Sequence, residues 1–174
     1  MVELMRRGAG TLEQFVDRCG VNHELALVFL LGFSRLEYAL KRTGYARKGK
    51  QDKVEISWRQ FASDTGPLLD AEKTPTVLES MKYLQDYPPL MERVTAELVP
   101  EWREDDARAR GPGERALLRV KTVRNNFFHG AKYPYRPDRD GPLLRHSLVI
   151  FEESLRVRED IRAYFDIPDM RDGG

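Results

Sequence analysis

Residues 114–130 read ERALLRVKTVRNNFFHG, and this stretch decides the fold. Leu117, Val120 and the pair Phe127–Phe128 recur at helical spacing, giving the segment one apolar face. Gly111-Pro112-Gly113 breaks the chain ahead of it, and Gly130 is well placed to terminate the helix. Its C-terminal end packs Arg124-Asn125-Asn126-Phe127-Phe128-His129 into less than about two turns. Arginine grips a phosphate in a planar, two-pronged fashion. Histidine is the side chain whose unperturbed pKa lets it trade protons near neutrality. Together they suit metal-free chemistry on a phosphodiester.

Outward from this helix, the rest of the chain also reads as helical. Asn22 is an N-cap for a helix running to about Thr43 and ended by Gly44. Phe29, Phe33, Leu36 and Leu40 form its apolar stripe, Glu37 borders that stripe near Ala26 and Leu30, and Arg35, Tyr38 and Arg42 point largely away. Tyr45 to Lys53 is a basic, glycine-containing loop. Ser57 to Ala62 is a short helix anchored by Trp58 and Phe61, followed by turn residues Asp64-Thr65-Gly66-Pro67. Thr76 to Tyr83 is a helix burying Val77, Met81 and Leu84, and Pro88-Pro89 stops it. Leu90 to Val99 fits a further helix before Pro100, and Glu101 to Arg110 is densely charged. Ala131 to Pro142 reads as a loop. A last long helix spans about Leu143 to Phe165, burying Leu144, Leu148, Phe151, Leu155, Ile161 and Phe165, and a polar tail follows from 167 to 174. Sustained period-2 alternation, repeats and low-complexity tracts are absent. The expectation is one all-α domain, a bundle of about five helices with its core over roughly residues 22–165.

Composition narrows the function classes. The 174 residues suffice for a core without staples, with 41% hydrophobic and 33% charged residues typical of a soluble globular chain. Because 29 Lys+Arg are balanced by 28 Asp+Glu, any basic footprint must be local. Cys19 is the sole cysteine, which excludes an intramolecular disulfide and a thiolate metal cluster and fits a reducing cytoplasm. The start Met1-Val2-Glu3-Leu4 lacks the pattern of a secretory signal, and the apolar run Leu25 to Phe33 is too short to cross a bilayer. The expected location is cytoplasmic, with no membrane contact. The three histidines are too scattered for a metal site, and no cofactor motif appears.

Arg124-x4-His129 on a helix of an all-α bundle resembles the HEPN superfamily (higher eukaryotes and prokaryotes nucleotide-binding). That family's signature is Arg-x4–6-His, often with an asparagine after the arginine, a place filled here by Asn125. The first-helix string Phe33-Ser34-Arg35-Leu36-Glu37-Tyr38-Ala39-Leu40-Lys41 looks like the opening helix of small prokaryotic HEPN proteins. In the family an acidic residue from an early helix approaches the motif arginine, and Glu37 matches it. The resemblance implies an up-and-down helical core and a metal-independent endoribonuclease acting as a homodimer in defence, stress response or toxin–antitoxin control. RNA and a second copy of the chain are then the expected partners, together with an antitoxin or regulatory protein. The tyrosine that some members carry two residues after the histidine, which an antitoxin can modify, is replaced by Ala131.

RNA supplies its own nucleophile, the 2′-OH, so its cleavage needs a base, an acid and charge stabilisation. His129 is the candidate base or acid, Arg124 the stabiliser of phosphorane charge, Asn125 the orienter of phosphate or ribose, and Glu37 the residue that fixes the guanidinium. Lys132, Tyr133, Tyr135 and Arg136, basic and aromatic residues interleaved just after the motif, are the candidate substrate contacts. Five residues turn about 140° on an ideal helix, so Arg124 and His129 do not share a face, whereas Asn125 and His129 do. Pairing of two motif helices across a two-fold axis would bring both groups into one composite site. A structural reading stands beside this one: Arg124 paired with Glu37, and His129 favoured near the helix's negative end. In that case the chain is a catalytically silent HEPN-like module binding nucleotide, RNA or protein. Asn126 reads as a solvent or capping residue, Phe127 and Phe128 as core or dimer contacts, His23 as incidental, and His146 as solvated or packing.

Overall fold

Asn22 opens the first long helix as the sequence predicts, its Oδ1 accepting the Leu25 N–H at 2.8 Å. The computed structural model describes residues 14, 20, 22–104, 108–128 and 136–166. Helix α1 (His23–Arg42) ends at Thr43, and Gly44 follows with a φ of 89°, a left-handed conformation that suits glycine. Phe29, Phe33, Leu36 and Leu40 are all buried on one face. Arg35 does not simply point away: its Nε donates to the Phe165 carbonyl at 2.9 Å.

The fold is α-dominant rather than strictly all-α. Among the described residues it has six helices and two small antiparallel hairpins. Strand β1 (Ala46–Lys48) pairs with β2 (Val54–Ile56), so the basic loop is a hairpin around a short 3-10 turn at Lys50–Asp52. Strand β3 (Leu90–Val94) pairs with β4 (Pro100–Glu104), which replaces the helix expected over 90–99. Both hairpins are mostly exposed, and the burial of β1 shows no alternation at all. Strands that bury no regular face leave no period-2 pattern to read.

Helix α2 (Trp58–Ala71) runs through the predicted turn at 64–67. Its tertiary neighbour overrides the local turn signal. A Cβ on Gly66 would lie 2.5 Å from the Glu114 nitrogen, and one on Gly113 would lie 2.3 Å from the Gly66 carbonyl oxygen. Two glycines back to back let α2 cross α4 (Pro112–Phe128) at backbone contact. Asp70 Oδ1 accepts the Gly113 N–H at 3.1 Å, and Glu114 Oε2 accepts that of Arg110 at 2.7 Å, so the start of α4 is capped as well as packed.

Helix α3 (Pro75–Asp86), N-capped by Thr74, buries Val77, Met81 and Leu84. Helix α5 (Pro137–Arg156) begins six residues before the expected start at Leu143, and Asp140 accepts the Arg136 N–H at 2.8 Å. The long helix expected to reach Phe165 is instead two, α5 and α6 (Glu159–Asp166). Between them Arg158 donates to the Tyr45 hydroxyl at 2.6 Å and to Thr65 Oγ1 at 3.0 Å, and its Nη2 lies 2.6 Å from Asp160. That three-way anchorage explains a break carrying no glycine or proline. The core lies between α1, α2, α4 and α5, with α3 and α6 closing its flanks.

Candidate functional site

Phe33 and Glu37 stand four residues apart on α1 and therefore share a face. Arg124, in the C-terminal half of α4, meets both. Its Nη2 lies 2.8 Å from Glu37 Oε1, and its guanidinium carbon is 5.8 Å from the centre of the Phe33 ring. Its Nη1 donates to Asn125 Oδ1 at 3.2 Å. The Arg124 and Glu37 side chains are 24% and 21% exposed, enough shelter to strengthen their attraction without full desolvation.

Successive residues of α4 diverge by about 100°, and each neighbour of Arg124 serves a different surface. Asn126 is buried, and its Nδ2 donates to the Leu90 carbonyl at 2.7 Å. This corrects its reading as a solvent or capping residue: it ties α4 to the second hairpin. Phe127 is buried in the core, and Phe128, partly buried, packs against it by stacking on Phe29 with centroids 6.2 Å apart.

Asn125 faces a cleft of about 820 Å³ between α1, the first hairpin, the start of α2 and α4. Glu37 and Lys41 line it from α1, Lys121 and Asn125 from α4, and Trp58 and Arg59 from α2. Both helices present residues four apart, Glu37 with Lys41 and Lys121 with Asn125, as a shared face requires. The hairpin adds Arg47 and Glu55, whose charged groups pair at 2.8 Å.

Arg124, Asn125 and Glu37 are thus brought together. His129, Lys132, Tyr133 and Tyr135 lie outside the described residues, as do Cys19, Gly130 and the tail from 167. Arg136 stands at the N-cap of α5 and does not line the cleft. Lys41, Lys121, Arg59 and the cleft-facing role of Trp58 were not anticipated. The i,i+4 spacings to Glu37 and Asn125 were the available signal for the two lysines.

His146 is away from this cleft, on α5. Its Nδ1 is 3.0 Å from Ser80 Oγ, and its ring stacks on Tyr83 with centroids 4.2 Å apart. Burial pushes its pKa below the ordinary 6.5; Glu79 opposes the shift and Arg145 adds to it. Among the described residues no three His, Cys, Asp or Glu side chains converge as metal ligands would. No protein-family profile, curated protein or solved structure matches the chain.

Proposed function

We propose that this chain is a HEPN-type, metal-independent endoribonuclease, with Arg124 and His129 at its reacting centre. The observation that carries the reading is the meeting of Glu37, Arg124 and Asn125 at the edge of a cationic cleft. In the proposed reaction the RNA 2′-oxygen attacks the adjacent phosphorus and the bond to the 5′-oxygen breaks. The products are a 2′,3′-cyclic phosphate and a 5′-hydroxyl. Arg124 stabilises charge on the non-bridging oxygens, and Glu37, a positioning residue, fixes the guanidinium. Asn125 orients phosphate or ribose. His129 takes the 2′-proton or protonates the leaving oxygen. In sequence it follows Asn125 by four, the interval that separates Lys121 from Asn125.

A second copy of the chain completes the site in this proposal, because Arg124 and His129 diverge on one helix and two copies supply separate acid and base. Leu27 and Leu31, 54% and 60% exposed one turn apart on α1, are the apolar surface offered to that copy. Such an enzyme would serve defence, stress response or toxin–antitoxin control.

The test is RNA cleavage in EDTA by the purified chain, beside Arg124→Ala and His129→Ala. Cleavage that survives chelation should fall by roughly 10²–10⁴-fold in His129→Ala and roughly 10²–10³-fold in Arg124→Ala. Cleavage unchanged in both variants removes the assigned site. Sedimentation should show a dimer at micromolar concentration that Leu27→Asp/Leu31→Asp dissociates with loss of activity; an active monomer ends the composite-site idea. The Glu37–Arg124 pair also joins α1 to α4, which favours the second reading, a silent HEPN-like binding module. RNA binding without cleavage selects it.

A further inference from the structure

We infer that the cleft beside Arg124 is a binding groove for single-stranded RNA, holding the strand that flanks the cut phosphate. This rests on the endoribonuclease reading for the strand's identity, but on the cleft's own chemistry for the binding. Four cationic side chains (Lys41, Arg47, Arg59 and Lys121) and two carboxylates line it. Each carboxylate is engaged by an arginine, Glu55 by Arg47 and Glu37 by Arg124. The lining therefore carries two more cationic than anionic side chains, four against two, in a chain whose formal net charge is only +1. Lys50 and Lys53 are exposed on the hairpin that forms one wall. Polyanion binding draws on such a local excess, whatever the sum over the molecule.

The aromatic in the wall points to a strand with unpaired bases. Trp58 lines the cleft and is half-buried, with its indole 5.1 Å from the Phe33 ring centre at an interplanar angle of 29°. Phe33 is the same ring that Arg124 approaches. One phenyl group thus braces both the cleft's aromatic and the proposed catalytic cation, setting a base-stacking platform next to a phosphate grip. Cations along a groove with an aromatic between them are how sequence-tolerant single-strand binders work. An acidic protein segment would find the cations but gain little from the indole. Phosphates on Lys41, Lys121 and Arg59 and a base on Trp58 would give recognition of backbone and stacking, with no requirement for one sequence.

The experiment measures binding of a fluorescein-labelled 12-nucleotide 2′-O-methyl oligoribonucleotide, which cannot be cleaved, to the full chain. Lys41→Glu/Lys121→Glu should raise Kd by roughly 10- to 100-fold and reduce the salt slope by about 1.4, at about 0.7 per lost phosphate contact on a single strand. The charge-matched control Lys82→Glu/Arg162→Glu, on α3 and α6, should stay within about twofold. In a Trp102→Phe background Trp58 is the sole tryptophan, and the oligonucleotide should quench its emission. Equal weakening by cleft and control pairs, or unquenched Trp58, overturns the proposal. So does polyglutamate that binds as tightly and is lost in the same variants. If the chain never cuts RNA but the cleft pair loses binding, the nuclease reading falls and the groove stands. If Arg124 and His129 are needed for cutting but the cleft pair binds normally, the groove alone falls.

Discussion

Arg124 is held by a carboxylate, a carboxamide and an aromatic ring, and the carboxylate is the informative one to change. Glu37→Gln keeps the shape and an acceptor oxygen but removes the charge. Cleavage should fall by roughly 10-fold or more with KM little altered, as expected when a group acting in the transition state is misaligned. The charge-assisted bond is worth about 1–2 kcal/mol to stability, so the melting temperature should drop by a few degrees. Glu37→Asp should recover part of the rate, whereas Arg124→Lys should not, because lysine cannot reproduce the planar fork. Equal rates for Glu37→Gln and the unaltered chain would remove Glu37 from the mechanism. Its position was legible because a carboxylate bordering an apolar stripe is conspicuous on a helical wheel. Asn126 was not: its partner is the Leu90 carbonyl, on a segment read as helix.

Between elements, the α2–α4 crossing sets where every α4 side chain points. Gly113→Ala would drive a Cβ to 2.3 Å from a backbone oxygen that no rotamer change can move aside. A loss of about 3 kcal/mol is expected, read as a fall in denaturation midpoint. Gly141→Ala is the contrast: it lies inside α5 with the Arg145 guanidinium nitrogens as its nearest neighbours, at 3.7 and 3.9 Å, and should change stability by less than about 1 kcal/mol, the gain in helix propensity being offset by the Pro142 ring that follows. If both alanines act alike, the crossing is not the constraint. The long helices were legible from 3.6-residue periodicity and from caps at Asn22 and ahead of α4. The hairpins and the α5–α6 break were not. The hairpins expose most of their residues, and the break depends on Arg158 reaching Tyr45 and Thr65 far back in the sequence. Gly66-Pro67 misled for the same reason: the glycine answers to a neighbouring helix rather than to a turn.

For the whole molecule, the balance of 29 against 28 charges leaves room only for a local basic footprint and says nothing of where one would lie. The cleft is assembled from four elements and exists only after folding. No helix among the described residues is long and apolar enough to cross a membrane. Global stability should carry a signature of His146, which joins α3 to α5. The fold favours its neutral ring, so below the ordinary value of 6.5 the unfolded chain binds a proton that the folded chain resists. Its contribution is therefore full above 6.5 and declines as pH falls from there through the lowered folded value. His146→Gln should flatten the fall in melting temperature between about pH 7 and 5. An unchanged slope would assign that fall to other groups.

The glycine crossing also makes length itself part of the site. It pins α4 at Gly113, and each residue added between there and Arg124 would turn everything beyond it by about 100°. One insertion would carry Asn125 off the cleft and Arg124 away from Glu37 while leaving every side chain in the sequence. Chains descended from this one can vary the tip of the second hairpin, which lies outside the cleft. The interval from Gly113 to Arg124 is closed to insertions and deletions, a signature to seek when related sequences are aligned.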